Sequence, residues 1–294
     1  MDKPFLKLHL SILLAGFTGI FGKLILLESF PLVWYRMLFT SILFLGYLWF
    51  AKKIPLIPLR EAAKLSCLGA LLAVHWVFFY GSIKYANVSI GVVCFAMNGF
   101  FAAIFEPIAN RKAISPRELC YSLITVCGIM MIFHFDTQYR TGIILGVISA
   151  ALAALHVVGI RRVGRNRPAT PIFLYQMGGG FLLITLLSPA YFALFPGMVL
   201  VPTVEDIIYL LLLASACTIG LFLLQIQALQ KISAFTVSLS YNLEPVYSII
   251  LAMALFGEAR ELGLAFVAGL VCITASVGLQ SVYALRQIRN LPSS

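Results

Sequence analysis

Glu244 stands in the middle of an apolar run, Ser233 to Phe256, and no other carboxylate of the chain lies so deep in hydrocarbon. An ionisable side chain at the centre of a membrane helix costs about 2.5–3.5 kcal/mol on insertion scales, so such residues usually mark substrate, ion or proton paths. Val237, Tyr241, Glu244 and Ser248 follow i, i+4, i+7, i+11 spacing and share one helical face. Pro245 removes a backbone donor, which predicts a kink at the carboxylate and a freed carbonyl on Tyr241. A polar side chain beside broken backbone is the kind of place where membrane helices hold ligands. Tyr241 and Asn242 are therefore read as binding candidates with Glu244, and Glu244 also as a proton-coupling candidate.

A matching run, Ala86 to Asn110, carries Asn98 at its centre. Asparagine donates and accepts, which suits a polar or zwitterionic ligand; an interhelical hydrogen bond is the structural alternative. His75, Trp76 and Tyr80 lie on one apolar stretch with Phe78 and Phe79 between them. Aromatics at mid-span can wall a cavity for a ring or apolar group, whereas Tyr80 falls nearer the outer interface. His156 can relay a proton near neutral pH or simply be hydrogen-bonded. Gln225 and Gln227, assigned to the outer part of their span, point to different faces, so at most one of them, taken as Gln225, lines a cavity. Lys23 and Arg36 are read as snorkelling residues near the outer interface, and Glu106 as the local partner of Arg111.

The elements that position these residues follow from composition. The chain is 61% hydrophobic and 11% charged, with mean hydropathy +1.00. A soluble domain of that balance could not cover its surface. Ten apolar spans are predicted at 8–27, 31–50, 64–84, 87–110, 118–135, 142–160, 171–195, 206–230, 233–256 and 262–283. Each is long enough for roughly 30 Å of bilayer core. With ten spans, 16 of the 21 basic residues fall on the side shared by both termini. The positive-inside rule makes that side cytoplasmic, so the net charge of +10 reflects topology and not nucleic-acid binding. The first span lacks a cleavage site after it and is read as retained. All six cysteines fall inside spans without metal-ligand spacing and read as packing residues.

The sequence repeats itself. Pro31, Tyr35 and Met37 of PLVWYRM recur as Pro171, Tyr175 and Met177 of PIFLYQM, at an offset of 140. Gly81–Met97 matches Gln227–Leu243 in pattern at an offset of 146. The reading is an all-α membrane fold of two five-helix repeats, residues 1–138 and 139–294. An odd span count per repeat inverts the second copy relative to the first and puts the site near the midplane.

The stretch Ala228–Gly278 resembles the second repeat of EamA-type transporters of the drug/metabolite transporter superfamily, through Leu243-Glu244-Pro245 and Gly257-Glu258. Arg36 also resembles an arginine common at that position. The first repeat departs from the pattern, with Asn98-Gly99 in place of Glu-Pro and Lys112 in place of the loop glutamate. The resemblance implies ten helices, an inverted repeat, and export or uptake of small metabolites, without indicating which; amino acids or related compounds are the expected example.

No GxxxxGK[ST] occurs, so ATP is not expected to drive the protein directly. The rival class, a membrane-embedded enzyme acting on a lipid or lipid-linked substrate, would need a nucleophile–base pair or a metal cluster. There is no HExxH, and the four histidines are scattered. The expectation is a secondary transporter without cofactor or metal, a monomer in a bacterial inner membrane, with a small-molecule substrate and protons as the candidate coupling ion.

Overall fold

The computed structural model describes residues 3–132, 139–164 and 167–256, together with 268–269, 271–272, 274–276 and 278–279. Helices run α1 Lys3–Leu24, α2 Ser29–Phe50, α3 Leu59–Tyr85, α4 Val88–Phe95, α5 Asn98–Ala109, α6 Pro116–Ile132, α7 Arg140–Gly164, α8 Ala169–Leu194, α9 Val204–Ala214, α10 Leu221–Leu229, α11 Ala234–Ser240 and α12 Glu244–Phe256. No strand occurs among the described residues. Among the described residues, seven helical stretches are long and apolar enough to cross a membrane: α1, α2, α3, α4–α5, α7, α8 and α9–α10. Two shorter apolar helices, Leu119–Gly128 within α6 and α12, fall in the fifth and ninth expected spans. Most of the tenth span, Gly257-Glu258 and the inter-repeat link at 136–138 lie outside the described residues.

Helix starts are written locally. Asn87 accepts from the Ile90 N–H at 2.8 Å, and Thr203 with Asp206 forms a reciprocal capping box on α9. Proline precedes α3 and α8, at Pro58 and Pro168, where chain geometry favours entry into a helix.

Three spans are broken. The fourth changes segment at Ala96 and Met97, so Asn98 opens α5. The ninth passes through a tight turn, Tyr241–Leu243, so Glu244 opens α12. The eighth widens into a π turn at Ser215–Gly220. The kink expected at Pro245 is present, but the Tyr241 carbonyl is not free. Pro245 has no N–H for it, and the chain tightens so that the Glu244 N–H takes it instead.

The two halves interleave. The first helix of each half packs on the third and fourth spans of the other: α1 on α10 and α12, and α7 on α3, α4 and α5. The second helix of each half likewise meets the third of the other: α2 on α9, and α8 on α3. The α3–α8 seam is tight because glycines remove the intervening side chains. The Gly69 backbone nearly touches that of Gln176, and Gly179 that of Ser66.

Candidate functional site in the helix bundle

A cavity of about 60 Å³ lies where these broken spans converge. It has room for a few waters and is far smaller than the roughly 300–1,000 Å³ of ligand-filled pockets. Its wall brings together Glu244, Asn98, His75, Trp76, Tyr241, Gln225 and His156 from six separate helical segments. Thr18, Phe79, Phe95 and Phe222 complete much of the remainder.

The two midplane candidates hold equivalent places, each the first residue of the second segment of its span, 146 residues apart. Both are buried. Among the described residues the Asn98 Oδ1 has no hydrogen-bond partner, a costly condition that a ligand or water in the cavity would relieve. The Tyr241 hydroxyl donates to Ser11 Oγ at 3.1 Å, and Ser248 Oγ donates to the Gly16 carbonyl at 2.8 Å. The polar face of the ninth span is thereby held against α1. The side chain of Asn242 lies outside the described residues.

The histidines are fastened. His75 Nδ1 lies 2.9 Å from the Ser149 carbonyl; a proton on Nδ1 satisfies that carbonyl and leaves Nε2 as an acceptor. His156 Nε2 lies 2.6 Å from Gln176 Oε1, whose amide nitrogen in turn donates to the Ile172 carbonyl at 3.2 Å. Trp76 meets Phe222 edge-on with centroids 5.5 Å apart, and His75 tilts over Phe95 at 5.4 Å, which makes an aromatic wall.

Arg36 departs most from its sequence reading. It does not snorkel: it is 1% exposed and lines the cavity. Its Nε donates to Thr218 Oγ1 at 2.9 Å, Nη1 to the Tyr80 hydroxyl at 2.7 Å, and Nη2 to the Cys217 carbonyl at 3.2 Å. Its guanidinium lies 3.6 Å from the centre of the Trp76 ring. The π turn supplies two of these acceptors. Thr218 donates five residues back to the Leu213 carbonyl at 2.7 Å while accepting from Arg36. Tyr80, expected near an interface and in the binding wall, is fully buried and reaches the cavity only through Arg36.

Three further expectations are corrected. Glu106 does not serve merely as a local partner of Arg111. Its carboxylate accepts from the Ala234 and Phe235 N–H groups at 3.2 and 2.5 Å, capping α11 from the other half. The glutamines of the eighth span belong to the end bearing the basic loops, not the outer part. Gln227 accepts from Lys7 Nζ at 2.5 Å, and the next polar residue, Gln230, donates to the Arg167 carbonyl. Of the cysteines, Cys67, Cys120 and Cys127 are exposed and only Cys94 and Cys217 pack in the interior. Lys23 is exposed, with its ammonium 4.4 Å from the centre of the Phe256 ring.

Arg36 carried a signal that the repeat offered. At the offset of 140 that aligns Pro31 with Pro171, Arg36 aligns with Gln176, so both halves keep this position polar inside an apolar span.

The description EamA-like transporter family matches residues 4–134 and again 140–282, together almost the whole chain. The chain belongs to the EamA-like transporter family. It is thereby a member of the drug/metabolite transporter superfamily and a multi-pass membrane protein. An uncharacterized transporter of Bacillus subtilis is 25% identical over 287 residues, covering 94% of this chain and 89% of its own. An uncharacterized transporter of Haemophilus influenzae is 25% identical over 130 residues, 41% of this chain and 42% of its own. A crystal structure of another protein, 16% identical, superposes with a TM-score of 0.70 over 96% of this chain and 99% of its own, a likeness of fold.

Proposed function

We propose that this EamA family member is a secondary transporter that moves small metabolites, such as amino acids or related compounds, by alternating access around the cavity holding Glu244 and Asn98. The observation that carries the reading is the convergence of seven sequence-selected polar and aromatic residues on one buried void between interleaved halves. At 60 Å³ the void must widen to admit a metabolite, which alternation supplies.

In this reading the repeats, residues 1–138 and 139–294, are inverted copies of five spans, giving ten in all. The interchange of contacts (first helix of one half on the third and fourth spans of the other, in both directions) supports that symmetry. The excess of basic residues on one side supports a cell-membrane protein with cytoplasmic termini. The chain acts as a monomer on a small-molecule substrate. Glu244 exchanges a proton with one side and then the other, coupling transport to the proton gradient, and His156, tied to Gln176, is the second proton candidate.

Uptake into proteoliposomes tests this with Glu244→Gln, which keeps size and hydrogen bonding but removes titration. The variant should fold, lose pH-dependent accumulation and keep downhill exchange. Accumulation with the parent's pH profile would make Glu244 a residue of the helix break alone.

A further inference from the structure

We infer that Arg36 is the seat of an anionic group, a carboxylate, on the transported substrate, with the substrate's donor or cationic end turned toward Glu244 and Asn98. This rests on the reading of the cavity as the transport site and specifies what chemistry enters it.

A guanidinium keeps its charge at any pH a cell meets and offers five N–H donors in a rigid fork. Three of Arg36's donors are taken, by Thr218, Tyr80 and Cys217, and all three acceptors are neutral. They satisfy hydrogen bonds without supplying a counter-charge. Among the described residues no carboxylate comes within 4 Å of Arg36, although Glu244 lines the same cavity. A buried cation without a directly paired anion is a costly arrangement, and Glu244 acts on Arg36 only across the cavity. Two N–H groups remain over, and a pair of donors on one planar fork fits a carboxylate in bidentate fashion.

The fork is also held in place. Thr218 is tied to the Leu213 carbonyl across the π turn, and Trp76 covers the guanidinium face at 3.6 Å. Arg36 is thus held by its own partners on the wall it shares with Glu244. Among the described residues, three other polar groups of the wall make hydrogen bonds elsewhere: His75 to Ser149, His156 to Gln176, and Tyr241 to Ser11. The unpaired Asn98 Oδ1 needs a donor, which a carboxylate cannot give and an ammonium or amide can. One ligand carrying both groups would satisfy Arg36 and Asn98 together.

The test uses matched acids and amides as probes of the purified protein in detergent, read as ligand-dependent rises in melting temperature. Suitable pairs are phenylalanine with phenylalanine amide, alanine with alanine amide, and phenylpropionate with phenylpropionamide. In the parent, an acid should bind roughly 30-fold or more tightly than its amide, the size of effect seen when a buried charge loses its partner. In Arg36→Gln that gap should close to about threefold or less, and Arg36→Lys, a point charge without the fork, should keep part of it. An amide that matches its acid in the parent overturns the inference, as does a gap that survives in Arg36→Gln or a panel in which no acid binds. The parent comparison needs no variant, so poor folding of Arg36→Gln does not spare the inference. Proteoliposome uptake is read separately. Transport without acid preference removes the carboxylate seat and leaves the transporter; acid-selective binding without any transport does the reverse.

Discussion

Three consecutive glycines, Gly178, Gly179 and Gly180, should respond to alanine in three different ways, because α8 turns each toward different surroundings. A Cβ on Gly178 meets nothing within 4 Å. Alanine there gains helix propensity, about 1 kcal/mol at most, and should leave the melting temperature unchanged or slightly raised. A Cβ on Gly179 would lie 2.5 Å from the Ser66 carbonyl oxygen and closer still to its Cα. Backbone cannot move aside as a side-chain tip can, so α3 and α8 would have to separate by about 1 Å. Overpacking of that kind costs about 1–3 kcal/mol, or more where helices cannot yield. At about 2–4 °C per kcal/mol the melting temperature should fall by roughly 3–10 °C. Gly180 is intermediate: its Cβ would meet the Met37 Cε at 2.5 Å, a flexible end, but also the Gly69 carbonyl oxygen at 2.7 Å. Fluorescence-detected size exclusion after heating ranks the three variants. The expected order of loss is Gly179→Ala, then Gly180→Ala, then Gly178→Ala. A Gly179→Ala protein as stable as the parent, or Gly178→Ala as the least stable, would refute the packing argument.

Other outcomes follow from single contacts. Glu106→Gln halves the acceptors that cap α11 and should lower stability by about 1 kcal/mol, whereas Arg111→Gln should not; equal losses from both would restore the local ion pair. Glu61→Gln breaks an ion pair with Arg167 whose side chains are each about one-third exposed. Its effect on thermal stability should be small and should fade in high salt; a loss independent of salt would show that the pair works through something other than charge. Under the proposed topology a cysteine placed at Asn166 should resist an impermeant thiol reagent added outside intact cells and react after permeabilisation. Labelling from outside would overturn cytoplasmic termini and repeat inversion together.

The sequence made the broken ninth span legible because the one charge, beside the one proline, of a mostly apolar run of 24 residues has few explanations. Asn98 was found by its repeat partner alone, since Asn98-Gly99 has no proline; the fourth span nonetheless breaks at the same place. The burial of Arg36 is not legible in the sequence because distance from a span's end measures depth along a helix and not which neighbours cover it. Five residues from Pro31 a long side chain could reach the interface, but Trp76, Tyr80 and the π turn enclose it. A π turn depends on contacts between helices and leaves no periodicity to read. For Glu106 the sequence offers only a nearby basic residue, Arg111, whereas the N–H groups it accepts from lie 128 and 129 residues away.

The interleaving of the halves bears on how the chain is made. Helix α3 finds its long partners only in α7 and α8, which leave the ribosome after it, and α1 must wait longer still for α10 and α12. A nascent first half therefore sits in the bilayer with its glycine seam unfilled and Arg36 without the hydroxyl and carbonyl of the π turn. Contacts so distant in sequence close slowly, and truncation before the π turn would leave Arg36 without two of its three hydrogen-bond acceptors. Such a fragment is the kind of species that membrane quality control removes, so this protein's abundance in cells should depend on the second half arriving promptly.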